Sequence, residues 1–168
     1  MSDSMPFSSI PLFDRLRAAP DTTTHEGHES EWQRLRRSVK HELENLFSSR
    51  SGLAMDAYLT GMLTVLDYGL PDTTALSMDS VLDRQHLEKA IARAIATFEP
   101  RLRTVTVSVR ASAIRGADAC ISVNGTLRLA HRQHRVQFEL AASGNPEASK
   151  VIDVTDVPSS VVRETDHV

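Results

Sequence analysis

The sequence predicts an α+β fold, three main helices packed on a small antiparallel meander sheet of three to four strands. Apolar residues recur at helical spacing through the first hundred positions, and then alternate with period two. A single proline junction, Glu99-Pro100-Arg101, separates the two regimes. Helices and strands segregated along a chain in this way call for helices laid on one face of an antiparallel sheet, not for a parallel crossover fold.

In chain order, residues 1–29 read as a flexible N-terminal segment with a short docking helix at 11–18, where Leu12, Phe13 and Leu16 share a side. The polar stretch DTTTHEGHES that follows is a linker. Ser30 with Gln33 is a capping box, and Trp32, Leu35, Val39, Leu43, Leu46 and Phe47 then mark a helical stripe to about Arg50. Between 51 and 79 the periodicity weakens. Leu59, Met62, Leu63, Val65 and Leu66 are assigned to the core, and Tyr68-Gly69-Leu70-Pro71-Asp72 to a turn. Ser80 and Asp83 form a capping pair for the next helix, whose stripe is Leu87, Ala90, Ile91, Ala94, Ile95 and Phe98.

Pro100 has no amide hydrogen and pushes Glu99 out of the helical region, so this helix stops at Phe98 or Glu99. Val105, Val107 and Val109 then alternate with Thr104, Thr106, Ser108 and Arg110 as a strand. Asn124-Gly125 is a hairpin signal taken alone, but pairing about it would mix the two faces. Reading CISVNGTLRLA as one unbroken strand keeps Ile121, Val123, Gly125, Leu127 and Leu129 together, with Gly125 permitting a bulge or bend. The turn then falls at 131–134, before a strand containing Val136, Phe138 and Leu140. A single domain thus covers 30–142, and 143–168 is a loop, a possible edge strand at 150–157 and a tail.

Composition excludes several classes of function. A chain of 168 residues with 40% apolar residues can bury one core, and its net charge of −3 offers no global field for nucleic acid or an anionic membrane. One cysteine, Cys120, leaves no internal disulfide and no cysteine-based zinc site. The histidines at 25, 28, 131 and 134 lack a third ligand, so neither a metal nor a cofactor is expected. No apolar run is long enough to span a bilayer and no signal peptide opens the chain, which predicts a cytoplasmic protein.

The residue that asks for a partner is Glu99. A carboxylate at a helix C-terminus is disfavoured by the macrodipole by up to about 1 kcal/mol, so it needs a cation. Arg101, Arg103 and Arg93 are the local candidates, and an arginine of another chain is the alternative.

PLFDRL, SVKHELENLFSSR, DYGLPD and LEKAIARAIATFEPRLRTVTVSV, in that order over about 11–142, resemble the TssE family of type VI secretion baseplate subunits. That family is part of the lysozyme-like group of tailed-phage baseplate wedge proteins. Glu99-Pro100-Arg101 matches its Glu-Pro-Arg signature, whereas Ser48-Ser49-Arg50 departs from its Asn-Thr-Arg. The resemblance implies assembly without catalysis. Expected partners are the baseplate subunits TssF, TssG and TssK and the sheath proteins TssB and TssC, in a baseplate docked at the inner membrane. The partner-binding residues implied are Glu99, Pro100, Arg101 and Arg103.

Two rival readings remain. The lysozyme-like label suggests a glycoside hydrolase with Glu99 as general acid and Asp72, Asp83 or Asp118 as its second carboxylate. The arginines of the capped helix and of 101–110 suggest a nucleic-acid module, which the acidic total charge and the lack of stacking aromatics oppose.

Overall fold

The computed structural model describes residues 30–112, 119–130, 132–142 and 150–154. Within them the order is helix α1 (Glu31–Ser48), helix α2 (Met55–Thr60), a 3-10 turn (Val65–Asp67), helix α3 (Val81–Phe98) and strands β1 (Leu102–Ala111), β2 (Ala119–Leu129), β3 (Arg132–Ala142) and β4 (Lys150–Asp153). The strands form one sheet in the order β1-β2-β3-β4, every neighbouring pair antiparallel. This is the α+β meander that the two periodicities predict. The docking helix expected at 11–18 and the tail beyond 154 lie outside the described residues.

Local sequence explains both long helices. Ser30 accepts the amide of Gln33 while the Gln33 side chain accepts that of Ser30, so α1 opens with the full capping box. Ser80 accepts the amide of Asp83 at the start of α3. Their stripes meet in one core: Leu35, Val39, Leu43, Leu46 and Phe47 of α1, and Leu87, Ala90, Ile91, Ala94 and Ile95 of α3, are buried with Val123, Leu127, Val136, Phe138 and Leu140 of the sheet. Each large side chain fully buried there contributes about 1.5–3 kcal/mol. The Ala-rich face of α3 lets that helix lie close to its neighbours. At the far side of the sheet, Arg36 pairs with Asp153 at 2.9 Å and ties α1 to β4, while the Trp32 ring lies 4.4 Å from that of His134.

Four sequence expectations need correction. Met62, Val65 and Leu66, assigned to the core, are 89%, 86% and 90% exposed. Tyr58 and Leu70 are buried in this part of the chain instead, and Leu59 and Leu63 pack from the side. The stretch is not wholly irregular either, since Met55–Thr60 is helical. The β2–β3 connection is shorter than predicted: Leu129 pairs with Arg132, so only two residues intervene, and Ala130 has φ of 51°. His134 is therefore a strand residue packed on Trp32, not a turn residue. His131 is outside the described residues.

The fourth correction concerns the bulge. β2 is one unbroken strand, as the face argument requires, and the irregularity lies opposite it in β1, between Arg103 and Thr106. Thr104 there has φ of 52°. Gly125 serves this feature by omission, because a Cβ on it would lie 2.7 Å from Leu102 Cδ1. The glycine makes room for the first side chain of β1 to reach the core.

A helix-to-strand junction as candidate functional site

The chain turns from α3 into β1 within four residues. The Glu99 amide still donates to the Ile95 carbonyl at 2.8 Å, completing the helix, and the Leu102 amide donates back to the Glu99 carbonyl at 3.1 Å. Pro100 occupies the second position of that turn, where its fixed φ is favourable. So one short segment stops a helix and starts an edge strand.

The Glu99 side chain folds under this turn. Only 2% of the residue is exposed, and its carboxylate is gripped by the fork of Arg101, with Nε 2.7 Å from Oε1 and Nη2 2.5 Å from Oε2. The Arg101 amide adds a third bond to Oε1 at 3.2 Å. From its other side the guanidinium donates through Nη1 to Ser38 Oγ of α1 at 3.0 Å. A bidentate, charge-assisted pair is the strongest arrangement open to two such groups, and it also cancels the unfavourable end of the α3 dipole. Among the candidate cations, then, Arg101 is the partner. Arg93 donates instead to the Gly61 carbonyl, and Arg103 is exposed.

Pro100 and Arg103 stand in solvent on either side of Arg101, whose side chain keeps 20% of its surface. The bulge after Arg103 follows at once, where such an extra residue bends the strand. All four residues singled out from sequence are thus contiguous in space, two exposed, one part-buried and one buried.

Other quoted segments converge here. The Tyr68 ring packs edge-on against Phe98 at 5.3 Å, and burial raises the Tyr68 phenol above its usual range, with Glu42 and Glu99 adding to the rise. Gly69, with φ of 110°, passes so close to Ser49 that a Cβ would lie 2.6 Å from its carbonyl carbon. The crossing is a parallel bridge: the Ser51 amide donates to Leu70 at 2.8 Å and the Leu70 amide to Ser49 at 3.1 Å. The Thr74 amide and hydroxyl bonded to Asp72 hold its carboxyl below the usual range, and the Arg50 guanidinium, rooted on the Phe47 carbonyl, adds a smaller pull in the same direction. The segments 38–50, 68–72 and 98–103 therefore form one continuous structural unit.

Sequence reasoning missed Ser38 and Glu88. Ser38 is a hydroxyl within the apolar stripe of α1, three residues after Leu35, and a polar group in such a stripe signals a buried partner. Glu88 accepts the Val109 amide at 2.9 Å, so α3 occupies an outward-pointing donor of the β1 edge. Of the rival carboxylates, Asp83 accepts the Ser77 amide, Asp72 is exposed, and Asp118 lies outside the described residues. Among the described residues no cluster of three metal-ligating side chains occurs, and no helix is long and apolar enough to cross a membrane. The histidines at 25 and 28 are outside them.

A four-stranded meander under two long helices, braced by a buried ion pair at the helix-to-strand turn, defines a small α+β structural module. The family model described as baseplate wedge protein gp25 matches residues 33–132. The chain belongs to that family, and its role is that of a structural component of a phage-tail-like baseplate. No curated protein matches the chain.

Proposed function

We propose that the chain is a TssE-type subunit of a type VI secretion baseplate, joining wedge subunits to the contractile sheath and helping to start sheath assembly. It would act in the cytoplasm, at the inner membrane. TssF, TssG and TssK would meet the junction, and TssB and TssC the sheet edge. The observation that carries this reading is the anchored pair itself. Glu99 grips Arg101 and Arg101 grips Ser38, so Arg101, next to the fixed ring of Pro100, is offered to a neighbour with little left to order, and exposed Arg103 adds its charge beside it. Preorganisation of that kind lowers the entropy lost on association. Glu99 contributes by fixing Arg101 in place, since its own oxygens are already occupied.

Hydrolysis fits the same geometry poorly. A general acid needs a proton and access to the glycosidic oxygen, whereas Glu99 is buried and bonded through both oxygens to a guanidinium.

The test is recovery of partners on the intact chain and on Arg103→Glu, which alters an exposed charge and leaves the buried pair alone. The intact chain should bring down wedge and sheath proteins, scored separately, and R103E should lose wedge subunits by about tenfold, as for a reversed charge in an interface. Failure of the intact chain to recover either set would sink the proposal.

A further inference from the structure

We infer that the solvent face of the sheet carries, at its junction end, a docking site for an acidic segment of a partner protein, built from Arg103, Arg128 and Arg135. The register brings them together. Arg103 of β1 and Arg135 of β3 both lie opposite Thr126 of β2, one on each side. Two strand spacings separate them, about 10 Å, and Arg128 stands two residues beyond Thr126, about 7 Å along β2. Residues directly opposite share a face, as do residues two apart, so all three arginines stand on the side away from buried Leu127 and Val136. All three are exposed. Arg128 is steadied by its Nε, which donates to the Ala130 carbonyl at 3.1 Å and leaves the terminal nitrogens of the guanidinium for another acceptor.

These charges are not met within the sheet. The one carboxylate among the described strand residues of this face is Glu139, four residues along β3 from Arg135, and Gln137 donates to it at 3.3 Å. Among the described residues no ion pair involves Arg103, Arg128 or Arg135. Like charges on neighbouring positions of a sheet repel, so the cluster costs the isolated fold a little, and a counter-charge from outside relieves it.

The counter-charge fits a row of carboxylates on a protein. A guanidinium fork takes a carboxylate through two parallel bonds, which gives direction as well as attraction. Nucleic acid is opposed by the net charge of −3 and by the lack of any aromatic side chain on this face among the described residues. A member of the baseplate wedge family, moreover, is a structural component of a protein assembly. Arg103 already belongs to the wedge contact proposed above. The register extends that contact to Arg128 and Arg135 and gives the partner its chemistry, and to that extent the assignment rests on the baseplate reading.

The probe is a synthetic glutamate-rich peptide in a glycine and serine frame, titrated into the full chain at low salt while backbone amide shifts are followed by NMR. Its glutamine counterpart and a short DNA duplex are run beside it. Shifts should centre on positions 103, 126, 128 and 135, the glutamine peptide should cause none, and binding should weaken as salt rises. Arg128→Gln combined with Arg135→Gln should bind the peptide about three- to tenfold more weakly, as for two exposed charge pairs. Arg110→Gln, at the other end of the same face, should leave binding unchanged. The urea midpoint of the double variant should equal or exceed that of the intact chain, because a repulsion has been removed. A double variant that binds as well as the intact chain, or shifts spread over Arg110 and α1, would overturn the assignment. So would a lower urea midpoint, which would make the arginines part of the fold, or tighter binding of the duplex, which would make nucleic acid the ligand. No baseplate protein enters this titration and Arg103 is untouched in it, so its failure leaves the recovery of wedge proteins by the intact chain standing, and failure of that recovery leaves the titration standing.

Discussion

The junction at Glu99 and the segment from Met62 to Leu66 invert the usual distribution of polarity. One buries a carboxylate to 2% and its arginine to 20%, while the other leaves three large apolar side chains 86–90% exposed. Both outcomes come from the backbone. At the junction, a proline turn curls the side chain of Glu99 beneath its own helix end, and the next arginine is two residues away. Around residue 64, the chain is pinned from inside: Tyr58 donates to the Gly69 carbonyl at 2.8 Å, and Leu70 bridges to Ser49. The loop between those anchors has to swing outward, and its side chains go with it. Which residues are buried is therefore decided by where the chain is tied.

The largest effect follows from breaking the buried pair. Arg101→Ala strands a carboxylate in an apolar site and removes the donor to Ser38, and should cost about 3–5 kcal/mol in chemical denaturation. The double change Glu99→Leu with Arg101→Met should cost far less than the sum of its single variants, because neither charge is then left alone. Additive losses would mean that the two groups are not coupled, contrary to their 2.5 Å contact.

The anchors beneath the exposed segment can be read through pH. Burial is the main reason the Tyr58 phenol is pushed up to about 12, with Asp67 raising it further and Arg93 pulling it down. The unfolded chain loses this proton near 10 and the folded chain only near 12, so between them the unfolded state binds fewer protons. Stability is then full below pH 10 and falls as pH rises toward 12, by about 2–3 kcal/mol for a shift of this size. Tyr58→Phe should start lower, lacking the bond to Gly69, but should show a shallower decline over that window in urea unfolding. Equal slopes would show that Tyr58 is not the group responsible.

The contrast also marks what was legible in the sequence. The two long helices were legible because caps and stripes are local, and the long β2 strand because a hairpin at Asn124-Gly125 would have mixed its faces; the short helix Met55–Thr60, which has no side-chain cap, was not. The junction was legible as a stop, a charge and a turn. Its internal closure was not, because the choice of Arg101 over Arg93 depends on Gly61 meeting Arg93 across thirty-two positions. Met62, Val65 and Leu66 were misassigned for the same reason. Their hydropathy argues for burial, and only the tertiary ties at Tyr58, Gly69 and Leu70 reverse it. The bulge moved from β2 to β1 because Gly125 yields space to Leu102 without itself bending.

The smallest effect is the sharpest test of that account. If Met62, Val65 and Leu66 are carried outward by their anchors and bury almost nothing, their side chains have little transfer energy to lose. Replacing each in turn with serine should shift unfolding free energy by no more than about 0.5 kcal/mol, the range of ordinary surface changes. Leu63, half-buried within the same loop and packed on the core, should cost more than any of the three when replaced by serine. A loss above about 2 kcal/mol at Met62, Val65 or Leu66 is the scale of a buried aliphatic side chain. It would mean that the segment folds back onto the protein in solution, and the contrast with the junction would then rest on hydropathy after all.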